Sequence, residues 1–142
     1  MNNLKIKPHQ LVSIFASTAL ISGVFLPILS IPFLGDQTFY QNQQYISIFI
    51  IINAILISFI SFTRLKIALW LLALMVSGSL IYAYNDFQGT MSEFDNMMGD
   101  GVSSEFLKKM KNSFMASIEI KYGIYFLILG VILTFLSAAW KK

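Results

Sequence analysis

Four long apolar runs without a charged residue constrain this chain more than any other feature of its sequence. They cover residues 10–34, 45–62, 67–84 and 122–140, and none contains Asp, Glu, Lys or Arg. A helix needs about 20 mainly apolar residues to cross a bilayer, so each run is long enough. Four such helices buried in a soluble domain would leave almost nothing to cover them. We therefore predict an all-α membrane protein, a single domain over 1–142 with a bundle of four transmembrane helices.

The composition agrees with this class and excludes others. Hydrophobic residues make up 56% of the 142 residues and charged residues only 12%, whereas soluble domains have about 25% charged residues. An ordinary cytosolic enzyme, a disordered chain and a nucleic-acid-binding domain are therefore excluded, despite a net charge of +3. The absence of cysteine excludes disulfides and thiolate metal sites. The expected partner is the lipid bilayer, with no nucleic acid.

The first run can be interpreted as a membrane span or as a signal peptide, since Lys5 and Lys7 precede it. It is longer than the apolar region of about 7–15 residues that is typical of a signal peptide. It also ends at residues 32–34 without the small residues of a cleavage site. We favour a retained span.

Charged residues lie on opposite sides of the predicted bundle according to their sign. One side has six basic residues and no acidic ones, namely Lys5, Lys7, Arg64, Lys66, Lys141 and Lys142. The other side has all seven acidic residues and the remaining four lysines. Because basic loops stay in the cytoplasm, both termini are predicted to be cytoplasmic.

Aromatic residues give the same topology independently. All six tyrosines fall at the outer ends of the predicted spans and both tryptophans near the inner ends, at positions 40, 45, 82, 84, 122 and 125 for Tyr and 70 and 140 for Trp. Tyr and Trp rings prefer the interface between lipid and water.

Two prolines and several small residues indicate how the spans are shaped. Pro27 and Pro32 predict a kink or break in the outer third of the first span, because proline removes a backbone hydrogen bond. This break either helps the bundle to close or lines a niche for a ligand. Small residues spaced four apart predict close contact between helices, and they are Ala19 and Gly23, Ala73 and Ser77, and Gly130 and Thr134.

Asn53 is the only amide in the middle of a predicted span. An interhelical hydrogen bond is the simpler role, and a position lining a pore or binding a partner is the alternative. The spans contain no ionisable residue of the kind that proton relays need. His9 is the only histidine, and no nucleotide-binding or metal-binding motif is present. We expect no enzymatic activity, no catalytic residue, no metal and no cofactor.

The predicted outer loop, 85–121, is long enough to contain its own elements. Thr90 and Glu93 fit a capping box, which predicts a short helix over 91–98 that ends at Gly99. Apolar residues at helical spacing predict a second, amphipathic helix after residue 103 or 104. Residues 117–122 alternate in polarity, so that a short extended stretch or a continuous helix can precede the fourth span.

These loop helices have two interpretations. They lie on the outer leaflet with the apolar face in lipid, or their methionine-rich surface docks another protein. The candidates for partner binding are Met91, Phe94, Met97, Met98, Phe106, Met110 and Phe114.

A sequence motif closes the first span, with Gly23, Phe25, Leu26 and Pro27 followed by Ser30, Pro32 and Gly35. Together with three further spans and the segment 116–123, it resembles small bacterial four-transmembrane-helix proteins whose first span ends in L-P-x-x-S-x-P. The resemblance implies a location in the bacterial inner membrane and no defined activity.

Three functions fit these observations. The first is an accessory subunit of a cell-envelope complex that acts by contacts with another membrane or periplasmic protein. The second is an immunity or exclusion protein against a membrane-active toxin or phage component. The third is a self-associating pore with Asn53 facing water.

Overall fold

The computed structural model describes residues 5–31, 35–63, 65–99, 109, 112–113 and 116–140, with the backbone alone at 31, 91, 94, 95 and 97–99. The helices, numbered in chain order, are α1 (Pro8–Phe25), α2 (Phe39–Asn42), α3 (Gln44–Ser61), α4 (Lys66–Gly99) and α5 (Tyr122–Ala139). The strands are β1 (Pro27–Ile31), β2 (Gly35–Thr38) and β3 (Glu119–Ile120). The described chain is mostly helical.

Four of the helices are long and apolar enough to cross a membrane, over Pro8–Phe25, Gln44–Ser61, Lys66–Thr90 and Tyr122–Ala139. The predicted bundle of four such helices is therefore present. Helix α1 packs most extensively against α5 and then against α3, while α4 packs against α3 and α5. The fully buried side chains of α1 include Ala16, Leu20 and Val24.

Successive long helices run in opposite directions, and the two ends of the bundle differ in structure. At one end, named the basic end, the Lys66 Nζ donates to the backbone oxygen of Trp140 over 2.9 Å. At the opposite end, named the sheet end, β1, β2 and β3 form a small antiparallel sheet in the order β2-β1-β3. Helices α1 and α4 run towards the sheet end, and α3 and α5 run away from it.

The first apolar run does not form one continuous helix. Helix α1 ends at Phe25 and the chain continues as β1, because Pro27 has no N–H to donate and its ring blocks the preceding turn. The predicted break near Pro27 is therefore confirmed. The small sheet corrects the prediction of a purely helical domain and the predicted limit of the first span at residue 34.

Glycines allow α1 and α5 to approach closely, as the small residues predict. A Cβ added to Gly130 would lie 2.6 Å from the Leu20 Cγ, and one added to Gly23 would lie 2.8 Å from the Leu127 Cγ. Real side chains avoid such distances. At each glycine, therefore, a leucine side chain of the other helix packs directly against the backbone.

The structure corrects the predicted start of the outer loop. Helix α4 continues without interruption to Gly99, so a separate helix over 91–98 is wrong. The Thr90 hydroxyl does not cap a helix but donates to the Asp86 carbonyl oxygen over 3.1 Å, since it lies inside a helix that has already begun. Residues 100–108 lie outside the described residues, so the predicted end at Gly99 stays a prediction. The described positions 109, 112–113 and 116 of the second predicted helix are helical.

Candidate functional site

The sheet end contains the most elaborate structure of the bundle. Strand β1 pairs with β2 through Ser30 opposite Asp36, and with β3 through Leu29 opposite Ile120. The Lys121 N–H donates to the Ile28 carbonyl oxygen over 2.8 Å. The backbone of β1 is thus paired on both sides, and the start of α5 is joined to the end of α1.

Local sequence explains why the chain turns here. Gly35 has a φ of +76°, a conformation that glycine adopts without steric cost, and it begins the return strand β2. The register shifts between Pro27 and Leu29, which is typical of a β-bulge. The Ile28 side chain within this bulge is buried against the bundle.

Gly123 fixes how closely α5 approaches the beginning of β1. A Cβ at this position would lie 2.6 Å from the Leu26 carbonyl oxygen and 2.7 Å from that of Pro27. Both neighbours are backbone atoms, which cannot rotate away. The sheet therefore sits directly on the first turn of α5.

Charged side chains line the exposed part of this sheet. The Lys121 Nζ lies 3.1 Å from the Glu119 Oε2 in a hydrogen-bonded ion pair. This hydrogen bond and the charge of Glu119 raise the pKa of Lys121 above its usual value, and the more distant Asp36 acts in the same direction, while partial burial opposes them. The pair is exposed, so its effect on stability is small.

Helix α4 extends past the sheet end as an arm, defined as residues 84–99. Ala83 is its last buried side chain, and all described side chains from there to Asn96 are exposed. At about 1.5 Å per residue the arm is about 22 Å long. The Gln43 Nε2 donates to the Asp86 Oδ2 over 2.7 Å, which links the base of the arm to the start of α3.

The residues predicted to bind a partner lie on the arm or beyond it. Met91, Phe94, Met97 and Met98 belong to the backbone of α4. Phe106, Met110 and Phe114 lie outside the described residues. The structure therefore places the first four on one helix, and their role in binding stays a prediction.

Asn53 is buried in the bundle, with 3% of its surface exposed. Its Nδ2 donates to the Phe49 carbonyl oxygen of its own helix over 2.7 Å. A donor satisfied within α3 favours neither the predicted interhelical bond nor the pore. Of the two prolines, Pro27 begins β1 and Pro32 lies outside the described residues.

The basic end contains a cluster of buried hydroxyls that sequence reasoning did not identify as a unit. The Ser13 and Ser137 hydroxyls are hydrogen-bonded to each other, and the Ser137 Oγ also lies 3.0 Å from the His9 carbonyl oxygen. The Ser17 Oγ donates to the Ser13 carbonyl oxygen over 2.9 Å. The only available signal was the position of serines near the same end of the first and fourth apolar runs.

The bundle buries several polar side chains within a mainly apolar core and exposes many large apolar side chains. The bundle buries hydroxyl and amide groups at seven positions, Ser13, Ser17, Ser47, Asn53, Ser61, Thr134 and Ser137. Large apolar side chains point outwards along all four long helices, among them Phe15, Phe59, Leu74 and Ile132. Such a surface is far larger than the apolar patches that soluble monomers expose.

Among the described residues, no three His, Asp or Glu side chains form a group that could hold a metal ion. Comparison of the chain with protein-family models, with curated proteins and with solved structures gives no match to any of them.

Proposed function

We propose that this chain is an integral membrane protein, without enzymatic activity, that acts by contacts with another protein as a small subunit or accessory factor of a bacterial envelope complex. The arm of α4 is the observation that supports this proposal. It continues the membrane helix for about four turns beyond the bundle, and its described side chains are exposed. Apart from the hydrogen bond between Gln43 and Asp86 at its base, the described side chains of the arm are exposed, so the arm adds little to the stability of the bundle and is free to contact a partner.

The surface of the bundle supports the membrane location. Phe59 is 70% exposed and Ile67 is 78% exposed, which would promote aggregation in water but is neutral in lipid. The backbone groups of the long helices are satisfied within each helix, as lipid requires. We propose the bacterial inner membrane, with the basic end in the cytoplasm.

The natural absence of cysteine makes the orientation directly testable. Single-cysteine variants Thr63→Cys at the basic end and Ser92→Cys on the arm would be treated in intact cells with a maleimide that does not cross membranes. We expect labelling of the arm variant in intact cells and of the Thr63 variant only after lysis. The opposite pattern would show an inverted protein.

A photo-crosslinking amino acid on the arm tests the contact function. It would replace Ser92 or Asn96, which are exposed on the arm, and in a matched control it would replace Leu74, which is 57% exposed on the apolar surface of the same helix. We expect one protein adduct of defined mass from the arm positions and only lipid adducts from position 74. The absence of adducts at both arm positions would contradict a partner at the arm. Membrane location is tested separately by washing membranes with alkaline carbonate, and release of the protein by this wash would contradict it.

The immunity and pore hypotheses remain alternatives without a specific supporting contact. If the crosslinked protein is a toxin encoded by a neighbouring gene, the immunity hypothesis is favoured. Conductance by the purified protein would favour the pore hypothesis.

A further inference from the structure

Three of the long helices have the same short length. Helices α1, α3 and α5 each contain 18 residues, which corresponds to about 27 Å of helix axis. A spanning helix usually needs about 20 residues, with a range of about 17–25, for a hydrocarbon core of about 30 Å, so 18 residues lies near the short end of that range. All three are therefore shorter than a typical bilayer core, even before any tilt is considered.

The sheet end sets a firm outer limit to the apolar layer. The three-stranded sheet is open, so the outer edges of β2 and β3 have no neighbouring strand among the described residues. Open sheet edges do not occur in the hydrocarbon of a membrane, because their backbone groups would lack hydrogen bonds. The hydrocarbon must therefore end below the sheet, at the level of Phe25, Gln44 and Tyr122.

The basic end sets the inner limit. Helix α1 begins after Lys7, and Lys66 donates to the backbone of Trp140 where α5 ends. A lysine ammonium group needs water or headgroups around it. The apolar layer therefore ends before these lysines, and neither α1 nor α5 can gain a turn at this end by sliding further into lipid.

Aromatic side chains mark the same two levels on the lipid-facing surface. On α4, the exposed rings of Tyr82 and Tyr84 lie about 18 and 21 Å along the helix from the exposed Trp70. At α5, the exposed rings of Tyr125 and Tyr122 lie about 22 and 27 Å from the exposed Trp140, which directly follows the helix. Because such rings sit at the interface, their spacing gives a thin apolar layer independently of helix length.

We infer that the lipid partner of this protein is a thin bilayer, with a hydrocarbon core of about 25 Å rather than the usual 30 Å or so. This inference rests on the membrane location proposed above. In a thicker bilayer the lipid must thin locally around the protein, and each ångström of mismatch has a modest energetic cost. A helix that is too short cannot relieve the mismatch by tilting.

The test is reconstitution of the full chain into phosphatidylcholine bilayers whose monounsaturated acyl chains have fourteen, sixteen, eighteen, twenty or twenty-two carbons. Thermal unfolding would be followed by circular dichroism in each bilayer. We expect the highest midpoint with fourteen or sixteen carbons and a steady decrease with longer chains. A maximum at eighteen or more carbons, or equal midpoints throughout, would overturn the inference.

Tryptophan depth provides a second measurement that does not depend on stability. Trp140→Phe leaves Trp70 as the only tryptophan, and Trp70→Phe leaves Trp140. In the sixteen-carbon bilayer we expect both to be quenched most strongly by lipids labelled near the headgroup. A matched control, Ile52→Trp in a chain lacking both native tryptophans, places the ring at the middle of α3 and should respond to labels at the bilayer centre.

The two proposals fail in different ways. Strongest quenching of Trp70 and Trp140 by deep labels would overturn the thin-bilayer inference while leaving the membrane location intact. A protein that does not enter any of the bilayers, and is quenched by no lipid label, would instead contradict the membrane location itself.

Discussion

Helices α5 and α4 both pack in the bundle, but they are attached in different ways. Helix α5 meets α1 through glycines at positions 23, 123 and 130, each of which leaves no room for a side chain. Helix α4 contains Gly78 and Gly89, and a Cβ at either position would meet nothing within 4 Å. The same residue type is a packing requirement in one helix and a neutral surface position in the other.

Polar side chains show the same difference. On α1 and α5 the Ser13 and Ser137 hydroxyls join two helices, whereas on α4 the Ser77 and Ser79 hydroxyls donate to carbonyl oxygens of their own helix. Helix α4 is joined to its neighbours by polar groups at Lys66 and Asp86, one near each end of its apolar part. The comparison identifies α1 and α5 as a rigid pair and α4 as an element held mainly by its apolar face.

The largest expected effect separates the two classes of glycine. Gly123→Ala places a Cβ against two backbone oxygens, and we expect it to destabilise the protein by about 3 kcal/mol or more. Gly78→Ala is the matched control, and it should be neutral or stabilising, because alanine favours helix by about 1 kcal/mol. Thermal unfolding in detergent micelles measures both. Equal midpoints for the two variants would refute the difference between α5 and α4.

A smaller effect is expected from the serines. Ser137→Ala removes the hydroxyl that bonds to Ser13 and to the His9 carbonyl, and we expect a loss of about 0.6–1.7 kcal/mol, the range measured for hydrogen bonds between membrane helices. Ser77→Ala removes a bond within α4 and should change stability much less. A double-mutant cycle of Ser13→Ala with Ser137→Ala measures the coupling, and additive effects would mean that the two hydroxyls do not interact.

The polar links of α4 should matter locally rather than globally. Asp86→Ala removes the acceptor of the Gln43 side chain, and because the link is exposed we expect less than about 1 kcal/mol of global destabilisation. Amide hydrogen exchange should nevertheless increase at residues 84–90, because this hydrogen bond joins that part of the arm to the start of α3. Ser92→Ala on the same arm is the control. Faster exchange throughout α5 would contradict a local role.

The smallest expected effect concerns the ion pair on the sheet. Because Glu119 raises the pKa of Lys121, folding favours the protonated lysine, and this contribution is complete below the usual lysine pKa. It is lost as the pH rises through the raised pKa of the folded state. Glu119→Gln should return the pKa of Lys121 towards its ordinary value, as measured by NMR titration of the Nζ. An unchanged titration in the variant would show that the pair does not form in solution.

The sequence was sufficient to predict those helices, helix ends and close contacts that depend on the residues of a single segment. The four apolar runs predicted the four long helices, and Pro27 predicted the end of α1. The alternating polarity of residues 117–122 allowed either a short extended stretch or a helix, and β3 is the first of these. The small residues Gly23 and Gly130 predicted close contact between helices, and the structure shows that the helices concerned are α1 and α5. Each of these follows from a property of one segment, such as length, a missing N–H or a missing side chain.

What could not be predicted depends on distant pairing. Residues 27–31 are as apolar as a membrane helix, and only the strands on either side, β2 and β3, make them a strand. The capping signature at Thr90 was misleading because such a signature starts a helix only where none is already present. Residues that bind a partner depend on the surface of that partner, which the sequence of a single chain does not contain.

The pairing of α1 with α5 has a consequence for biogenesis. Ser13 and Ser137 are separated by 124 positions, and β1 likewise completes its sheet only when Glu119 and Ile120 arrive. A chain that enters the bilayer from its amino-terminal side must therefore keep the surface of α1 that faces α5 uncovered until α5 is inserted, although α3 can already pack against α1. Contacts of such long range form slowly, so assembly is completed late.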